Sequence, residues 1–495
     1  MEEAEKDAIV EYSSDDLNYF IEGATLLATG GGGPKEVAKD LLDQSGVTSV
    51  KTIPSQSVPN YMKIAMTGQV FAPSAIWSNM DFTSALNSYN SLVPEGSVRG
   101  VLPIEVGAVN GIVPAIIAGM TDSFLIAGAQ IDRSMSQMDM GLFQKNVGFN
   151  NLHMVTKDGE VAAEIPYAPQ ATDAMVLETD ILNTMNNHPG FQGVGGFASY
   201  SMTGADLKHH YDKGLLIGNT FDYAIKLGRS MDAPDFENQV LNTIQEHTGP
   251  AYRPYQLFKG YLVNAAEQAH AQDYGCVDFI TSDPTSCTGA RIYYSNENMI
   301  AYHLLWVLVQ GVPTPLELGP MVIGPDAVSY LLMEGESQHF KQGHSFSNEA
   351  FDTTHGDPDF FRAHEIELIG IPEPRLRTKA ILDSFTREIT TTRNAFDQPY
   401  TGSFIPIEQL NSLCPRIDMP RAEGTLGGDG HITLTTGIPG AEIRYTLDGT
   451  EPNQDAQLYT EPIPSSTLSG CDINAKLFHN NGLPDLSLCV SFPTL

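Results

Sequence analysis

The chain has 495 residues, of which 41% are hydrophobic, which is enough for more than one domain with ample buried core. It carries 60 acidic and 27 basic residues, a formal net charge of −33, and this argues against binding to nucleic acid or to anionic membrane surfaces, which require basic patches. The first ten residues are rich in acids, and the apolar runs near 111–129 and 299–313 are interrupted and too short to span a bilayer. We therefore expect a soluble protein, cytoplasmic rather than exported, with a processed targeting segment left open.

Residues 13–33 predict a helix that runs into a glycine loop. The start signal Ser13-Ser14-Asp15-Asp16 is followed by apolar residues at helical spacing up to Leu27. Four consecutive glycines, Gly30 to Gly33, come next, as is typical where a chain needs positive φ or close approach to a ligand. Because a helix precedes them and no Gly-Lys-Ser/Thr follows, neither a Rossmann fingerprint nor a Walker loop is indicated. Two interpretations stay open, an anion-binding nest and a helix C-cap with a flexible turn.

The expected fold class is an α/β domain followed by a β-rich domain, with a C-terminal immunoglobulin-like β-sandwich. In residues 14–165, helical patterns alternate with short apolar runs, among them a buried helix at 113–118 and a buried strand at 124–127. Residues 166–410 contain a helix near 217–230 and then many short β runs separated by turn residues. A linker rich in Pro and Gly, at 415–430, leads into a third unit at 418–495.

The third unit shows the period-two alternation of a strand. Ile443, Tyr445 and Leu447 are expected on the core face, and Asp448-Gly449 is expected to close a hairpin. The segment resembles the C-terminal immunoglobulin-like module of chitobiases and β-hexosaminidases, an accessory β-sandwich in that family. Because the module has no Trp and no obvious aromatic strip, we expect a spacer or subunit-contact role rather than sugar binding.

Five cysteines are present, and none form a CxxC pair, so a structural zinc site is not indicated. The odd count indicates mostly reduced thiols. Cys471 and Cys489 lie in the same terminal module and would be able to pair if the protein were exported.

Several segments in a fixed order resemble the S-methyl-thiohydantoin desulfurase-like family over roughly residues 14–410. Besides the glycine loop, they include the stretches at 102–110, 201–205, 227–229, 296–301, 324–328 and 369–372. The resemblance implies hydrolysis of a thiohydantoin ring substituent, in which water displaces a thiol from a carbon flanked by ring nitrogens. That reaction needs a carboxylate to activate water, a donor to polarise the ring and a proton for the leaving thiol.

Residue types in these segments fit those roles. Glu105 and Glu297 fit the base, Arg133 and Asn110 fit the donor, and Asp132 is placed to orient Arg133. Each of these residues also has an ordinary structural interpretation, as a helix cap or an ion-pair partner. The expected catalytic positions are Glu105, Asp132, Arg133 and Glu297, and the expected substrate-binding positions are Gly30, Gly31, Gly32, Gly33, Asn110, Asn296 and Asn298. We expect them to converge on one cleft; no metal site is predicted, and the sequence does not identify a cofactor.

The chain departs from the family pattern near Arg133. Two aspartates usual in the family fall on Ala127 and Ala129, a glycine becomes Asp132, and a later glutamate becomes Gln137. Alanine can neither coordinate a metal nor take a proton. The resemblance therefore supports the fold more strongly than the activity.

A histidine segment, residues 334–364, looks inserted relative to the family. It carries His339, His344, His355 and His364 among acids and five interleaved phenylalanines. Because no HxxxH or HExxH spacing occurs, we expect a partly ordered surface loop, packing against another subunit, rather than a metal site. Met135, Met138 and Met140, which follow Arg133 in the sequence, are expected in the core.

Two functions from different classes follow. The first is a small-molecule hydrolase acting on a thiohydantoin- or hydantoin-like ring. The alternative is a catalytically silent homologue that serves as a self-assembling scaffold or a binding protein. The expected partners are a small-molecule substrate or further copies of the chain as a homo-oligomer.

Overall fold

A computed structural model describes most of the chain. The described residues are 8–71, 80–168, 171–191, 193–269, 273–282, 288–309, 312–352, 356–411, 425–426, 431–434, 441–447, 455–464, 473–479 and 490–492. The predicted linker apart from residues 425–426, the Asp448-Gly449 turn and all cysteines except Cys276 lie outside this set. Cys276 is buried as a free thiol.

The first unit is built on a nine-stranded mixed sheet. Its strands are β1 (Val10–Ser13), β2 (Ser49–Pro54), β3 (Lys63–Phe71), β4 (Arg99–Pro103), β5 (Phe124–Ala129), β6 (Asn151–Val155), β7 (Val161–Pro166), β8 (Val194–Thr203) and β9 (Ile217–Gly218). The order is β1-β2-β5-β4-β3-β8-β6-β7, and β9 pairs with β5. Strands β2, β5, β4 and β3 run parallel, so their carboxyl ends lie at one edge of the sheet.

Eight helices accompany this sheet in the described residues. They are α1 (Ser14–Leu27), α2 (Lys35–Ser45), α3 (Thr83–Leu92), α4 (Ala108–Met120), α5 (Ala174–Asn187), α6 (Gly204–Asp212), α7 (Thr220–Met231) and α8 (Phe236–Thr248). Helix α1 begins as predicted, because Ser13 caps it in a reciprocal capping box with Asp16. The boundary expected at 165–166 between the first two domains falls within this sheet, because β8, which follows the boundary, pairs antiparallel with β3.

The second unit is a seven-stranded antiparallel sheet. Its strands are β10 (Tyr255–Ala269), β11 (Asp273–Thr281), β12 (Thr288–Ser295), β13 (Glu297–Val309), β14 (Val312–Ile323), β15 (Ala327–Leu332) and β16 (Ile366–Ile371). Their order in the sheet is β14-β13-β12-β11-β10-β16-β15. Three helices belong to it, α9 (Pro358–Ala363), α10 (Lys379–Ala395) and α11 (Ile407–Leu410).

Shared hydrophobic clusters join the two units. One cluster packs Leu331 and Ile369 of the second sheet with α1 and α4, and another packs Met299 and Phe385 with the face of the first sheet that carries Met66. Met135, Met138 and Met140 are buried in the second of these clusters. The ends of β4, β5 and β13 therefore meet at a junction that is closed to bulk water.

The terminal module forms two small sheets in the described residues. One contains β17 (Thr425–Leu426), β18 (His431–Thr433) and β21 (Ile463–Pro464), and the other β19 (Ala441–Thr446), β20 (Gln457–Leu458), β22 (Ile473–His479) and β23 (Val490–Phe492). Ile443 and Tyr445 are buried, whereas Leu447 is only partly buried. Leu447 follows the last residue of β19, so it lies where the alternation no longer applies.

No helix in the described part of the chain combines the length and apolarity needed to cross a bilayer.

Candidate active site

The glycine loop connects α1 to α2 and is packed rather than free. Thr29, Gly30, Gly32 and Gly33 all have positive φ, of 54°, 89°, 71° and 81°. All four are buried, which excludes the flexible turn considered from the sequence. Gly30 O accepts a hydrogen bond from Asn348 N at 2.7 Å, and Gly32 O accepts one from Val109 N at 2.9 Å. The loop is therefore held between the histidine segment and the start of α4.

Glu105 follows the carboxyl end of β4 and is 4% exposed. Its Oε1 accepts from Asn110 Nδ2 at 2.8 Å, and its Oε2 accepts from the backbone N–H of Met135 at 2.8 Å. Met135 follows β5, the strand parallel to and adjacent to β4, so the parallel register brings the two segments together. Both oxygens of Glu105 thus receive a donor, an arrangement that suits the ionised carboxylate.

Glu297 is the first residue of β13 and is 3% exposed. It follows Asn296, which takes the left-handed conformation (φ 54°) that lets β12 turn directly into β13. The carboxyl group of Glu297 lies against Gly31, where an added Cβ would come within 2.2 Å of its Oε1. Among the described residues, its Oε2 accepts no hydrogen bond of standard geometry.

Glu105 and Glu297, here called the glutamate pair, influence each other electrostatically. Burial raises the pKa of Glu105 to about 7, against the lowering effect of the Asn110 and Met135 hydrogen bonds and of Arg133. Burial and then the charge of Glu105 raise the pKa of Glu297 well above its ordinary value, with Ser136 and Arg133 acting in the opposite direction. Both shifts favour the protonated form of the carboxyl group, and the larger shift is at Glu297.

Arg133 is 1% exposed and ties three segments together. Its Nη1 donates to Pro325 O at 2.9 Å, its Nη2 to Thr29 Oγ1 at 2.5 Å and to Asn298 O at 3.2 Å, and its Nε to Ser134 O at 3.2 Å. Four of its five N–H donors are thereby used within the protein. Arg133 shapes the wall of the site, and its expected contact with substrate stays a prediction.

Asp132 belongs to a different cluster. Its Oδ2 pairs with His247 Nε2 at 3.1 Å and with Arg375 Nη1 at 3.5 Å, so the expected pairing with Arg133 is not the one formed. Burial alone would raise the pKa of Asp132, but the hydrogen bond and charge of His247 and the charge of Arg375 hold it below its ordinary value. Beside it, burial and the charge of Asp132 raise the pKa of Glu373 well above the usual range.

Asn296 and Asn298 flank Glu297 and serve the local structure. Asn298 Nδ2 donates to Val328 O at 2.9 Å, and its backbone N–H donates to Thr29 O at 2.7 Å. Its Oδ1 accepts from Tyr330 Oη and from Asn348 Nδ2, both at 3.1 Å. Asn296 is exposed, and its backbone carbonyl accepts from Asn348 Nδ2 at 2.9 Å. The structure thus brings Asn298 beside the glutamate pair with both side-chain polar atoms already engaged.

Only part of the histidine segment is a surface loop: residues 334–342 are mostly exposed, whereas residues 343–351 are mostly buried. The five phenylalanines of the segment are buried in one aromatic cluster with Tyr330. They are Phe340, Phe346, Phe351, Phe360 and Phe361. His344 is buried as well, between Glu22 Oε2 at 2.8 Å and Asp232 Oδ1 at 3.0 Å. The expectation was wrong for the buried part, because the interleaved phenylalanines indicate burial more strongly than the intervening polar residues indicate exposure. His355 lies outside the described residues, and in the described part no group of His, Cys, Asp and Glu is arranged to hold a metal ion.

Asn348 and Tyr330 are site residues that the sequence did not reveal. Asn348 contacts Gly30, Asn296 and Asn298, although at least 50 residues separate it from each. No local motif marks an asparagine for such a role, since the segment that carries it reaches the site only through the fold.

Two family models match the part of the chain before the terminal module, and the division between them, at residues 163–184, falls within the nine-stranded sheet. The model of the S-Me-THD-like N-terminal domain matches residues 15–163, and that of the S-Me-THD-like C-terminal domain matches residues 184–378. The chain belongs to the S-Me-THD-like family. The model of the chitobiase/beta-hexosaminidase C-terminal domain matches residues 421–484, which confirms the resemblance of the terminal module.

A solved crystal structure of a protein from Chromobacterium violaceum, determined by the Northeast Structural Genomics Consortium, resembles this chain in fold. The two share 22% identity with a TM-score of 0.63, and the match covers 80% of this chain and 100% of the other. At this identity the likeness extends to the fold alone. No curated protein matches the chain by sequence.

Proposed function

We propose that this S-Me-THD-like chain is a hydrolase acting on a thiohydantoin- or hydantoin-like ring, with Glu105 as general base and Glu297 as general acid. The observation that carries the proposal is the glutamate pair itself. Two buried carboxyl groups that influence each other, both with a raised pKa and Glu297 with the larger shift, suit a division into a general base and a general acid.

The roles follow from the contacts of each carboxyl group. Glu105 accepts two N–H donors, which favours its ionised form and leaves it able to take a proton from water. Glu297 accepts no hydrogen bond of standard geometry at Oε2 from the described residues and carries its proton into the site. The Gly31 contact brings that carboxyl group directly against the glycine loop.

The proposed reaction balances without a cofactor. Glu105 takes one proton from water while the water oxygen bonds to the ring carbon. The C–S bond then breaks, the departing sulfur takes the proton of Glu297, and the second water proton moves to the ring nitrogen beside the new carbonyl. Transfer of the first proton from Glu105 to Glu297 restores the starting state.

A second candidate function has its own support. Ala127 and Ala129 stand in β5 where the family pattern has acids, and Gln137 is held by Glu388 and Arg387. If the family chemistry needs those acids, the chain is a silent homologue that serves as a self-assembling scaffold or binding protein. The two candidates differ in one measurable property, the release of thiol.

The test is turnover of a panel of S-alkylated thiohydantoins by the purified full chain, followed as thiol and hydantoin product. The proposal expects release by the wild type and a fall in kcat of roughly 10²–10⁴-fold for both Glu105→Gln and Glu297→Gln. Glu178→Gln is the matched control, because Glu178 is also buried, also accepts a backbone N–H (Met138, 2.7 Å), and also has a pKa raised by burial to about 7. No release by the wild type would favour the silent homologue.

We further propose that the terminal module is an immunoglobulin-like β-sandwich that contributes to subunit contact in a soluble, cytoplasmic homo-oligomer. Its two small sheets and the buried Ile443 and Tyr445 support a module with its own core.

A further inference from the structure

We propose that Asn348 is a positioning residue that fixes the carboxyl group of Glu297 against the glycine loop. The inference deepens the proposed function and rests on it. Nothing in the family match assigns a role to this position, which lies in the histidine segment.

Asn348 makes contact on both sides of Glu297. Its Nδ2 donates to Asn296 O at 2.9 Å and to Asn298 Oδ1 at 3.1 Å, the two residues that flank Glu297 in the chain. It therefore holds the backbone that carries Glu297 at the turn between β12 and β13.

Asn348 also holds the loop that faces Glu297. Its backbone N–H donates to Gly30 O at 2.7 Å, and its Nδ2 lies 2.5 Å from the position that a Cβ on Gly30 would occupy. Gly31, the next residue, is the one that contacts the carboxyl group. One asparagine thus sets the separation between the two surfaces that enclose this carboxyl group.

Asn348 is itself well fixed. It is 5% exposed, and its Oδ1 accepts from Tyr330 Oη at 2.8 Å, which orients the amide so that its donors face β12 and β13. The Tyr330 ring in turn stacks on Phe346 at 5.1 Å between centroids, with 5° between the planes. Such supporting contacts are what an arrangement of acid groups needs to hold its geometry.

The segment that carries Asn348 is anchored to the helices on either side of the loop. Lys35 Nζ, at the start of α2, donates to Ser345 O at 3.0 Å and to Glu22 Oε2 of α1 at 3.1 Å. His344 bonds to the same Glu22 oxygen. Because α1 and α2 flank the glycine loop, the segment and the loop are fixed to each other at more than one point.

The experiment compares Asn348→Ala with Gln342→Ala in the full chain. Gln342 lies in the same segment and its amide donates to Met333 O at 2.9 Å, away from the glutamate pair, so its loss controls for a general effect on the segment. Tyr330→Phe is a milder second variant, which removes only the hydroxyl that orients Asn348 and serves if Asn348→Ala does not fold.

Infrared difference spectra between acid and alkaline pH measure the titration of Glu297. Its protonated carboxyl band is the one that disappears in Glu297→Gln. In Asn348→Ala we expect this band to titrate at least about one pH unit lower than in the wild type, because a released carboxyl group meets more water. Tyr330→Phe is expected to shift it less, and Gln342→Ala not at all. Hydrogen exchange of the peptide covering residues 26–33 is expected to quicken about tenfold in Asn348→Ala alone.

Thiol release separates this inference from the proposed function. With an active wild type, Asn348→Ala is expected to lower kcat about 10–100-fold with KM within about threefold, since proton delivery rather than binding is impaired. A wild type without turnover would overturn the proposed function, while the carboxyl titration and the exchange would still decide whether Asn348 positions Glu297. An unchanged Glu297 titration and unchanged exchange in Asn348→Ala would overturn the positioning role.

Discussion

Gly31 and Glu297 are in direct contact, and the missing side chain of the glycine is what leaves room for the carboxyl group. An added Cβ would lie 2.2 Å from Oε1 and 2.5 Å from Cδ of Glu297, well inside the contact distance of real atoms. The neighbouring Gly30, Gly32 and Gly33 have a further requirement, because each has a positive φ that other residues avoid; at Gly30 and Gly32 an added Cβ would also lie within 2.5 Å of a neighbouring side chain. The four glycines therefore meet two separate demands, one for space and one for backbone conformation.

We expect Gly31→Ala to displace the carboxyl group of Glu297 and to destabilise the protein by about 1–3 kcal/mol, as overpacking does. Thiol release and the infrared titration of Glu297 should both change. The control is Gly96→Ala, where the φ of 80° strains an alanine but the space is open, so only stability should fall. A Gly31→Ala variant with wild-type turnover and titration would contradict the close contact.

The pH profile of kcat/KM tests the assignment of the base. Glu105 must be ionised to accept a proton, and its pKa is raised to about 7 by burial. The rate should therefore fall about tenfold per pH unit below about 7, and the loss on the alkaline side should come only where Glu297 releases its proton. Maximal turnover near pH 5 would assign the base to another group.

Arg133→Lys tests whether Arg133 acts through structure. Its guanidinium reaches acceptors on Thr29, Asn298 and Pro325, which a lysine ammonium cannot span. We expect a loss of about 2–4 kcal/mol in the free energy of unfolding, measured by urea titration. Arg387→Lys is the control, because Arg387 is half-exposed and its pair with the buried Asp139 is partly screened by water; the loss of unfolding free energy should stay below about 1 kcal/mol.

The sequence predicted the parts of the site that lie next to their own motifs. Ser13 and Asp16 start α1, the glycines end it, and Glu105 follows an apolar strand, all through local signals. The approach of Glu297 to Gly31 rested on a family resemblance, because they are 266 residues apart and no periodicity relates them. Asn348 was missed for the same reason. Arg133 was expected as a donor to substrate because sequence cannot show how many carbonyl groups surround a guanidinium.

Glu367 gives a stability prediction that does not depend on activity. Its side chain is 0% exposed in β16, with Lys259 Nζ 3.8 Å from Oε1, and burial raises its pKa to about 7. Because the folded-state pKa lies above the unfolded one, the folded protein binds this proton more tightly. The associated stability is complete below about pH 4 and is lost as the pH rises towards 7.

Glu367→Gln should remove that loss. The free energy of unfolding in urea is measured for both proteins at pH 4 and pH 8. Between these two pH values we expect the stability of the variant to rise by up to roughly 3 kcal/mol relative to that of the wild type. Glu11→Gln in β1 is the control, because it makes the same substitution at an exposed carboxyl group. An unaltered slope in Glu367→Gln would show that Glu367 does not titrate in this range.

Removal of residues 418–495 tests the role of the terminal module. The three hydrophobic clusters of the two larger units draw on residues 12 to 410, so the truncated chain keeps their cores intact. Within the module, Leu434 N donates to Tyr459 Oη at 2.8 Å and the Tyr445 and Tyr459 rings meet at 6.2 Å, so the module has internal contacts of its own.

We expect the truncated chain to keep its thermal midpoint within a few degrees and to have a smaller number of subunits by light scattering, because a module without an aromatic strip is better suited to contact between subunits than to glycan binding. The full-length chain at the same concentration is the control. A truncated chain with an unchanged number of subunits, together with binding of chitin oligosaccharides by the isolated module, would assign the module to carbohydrate recognition instead.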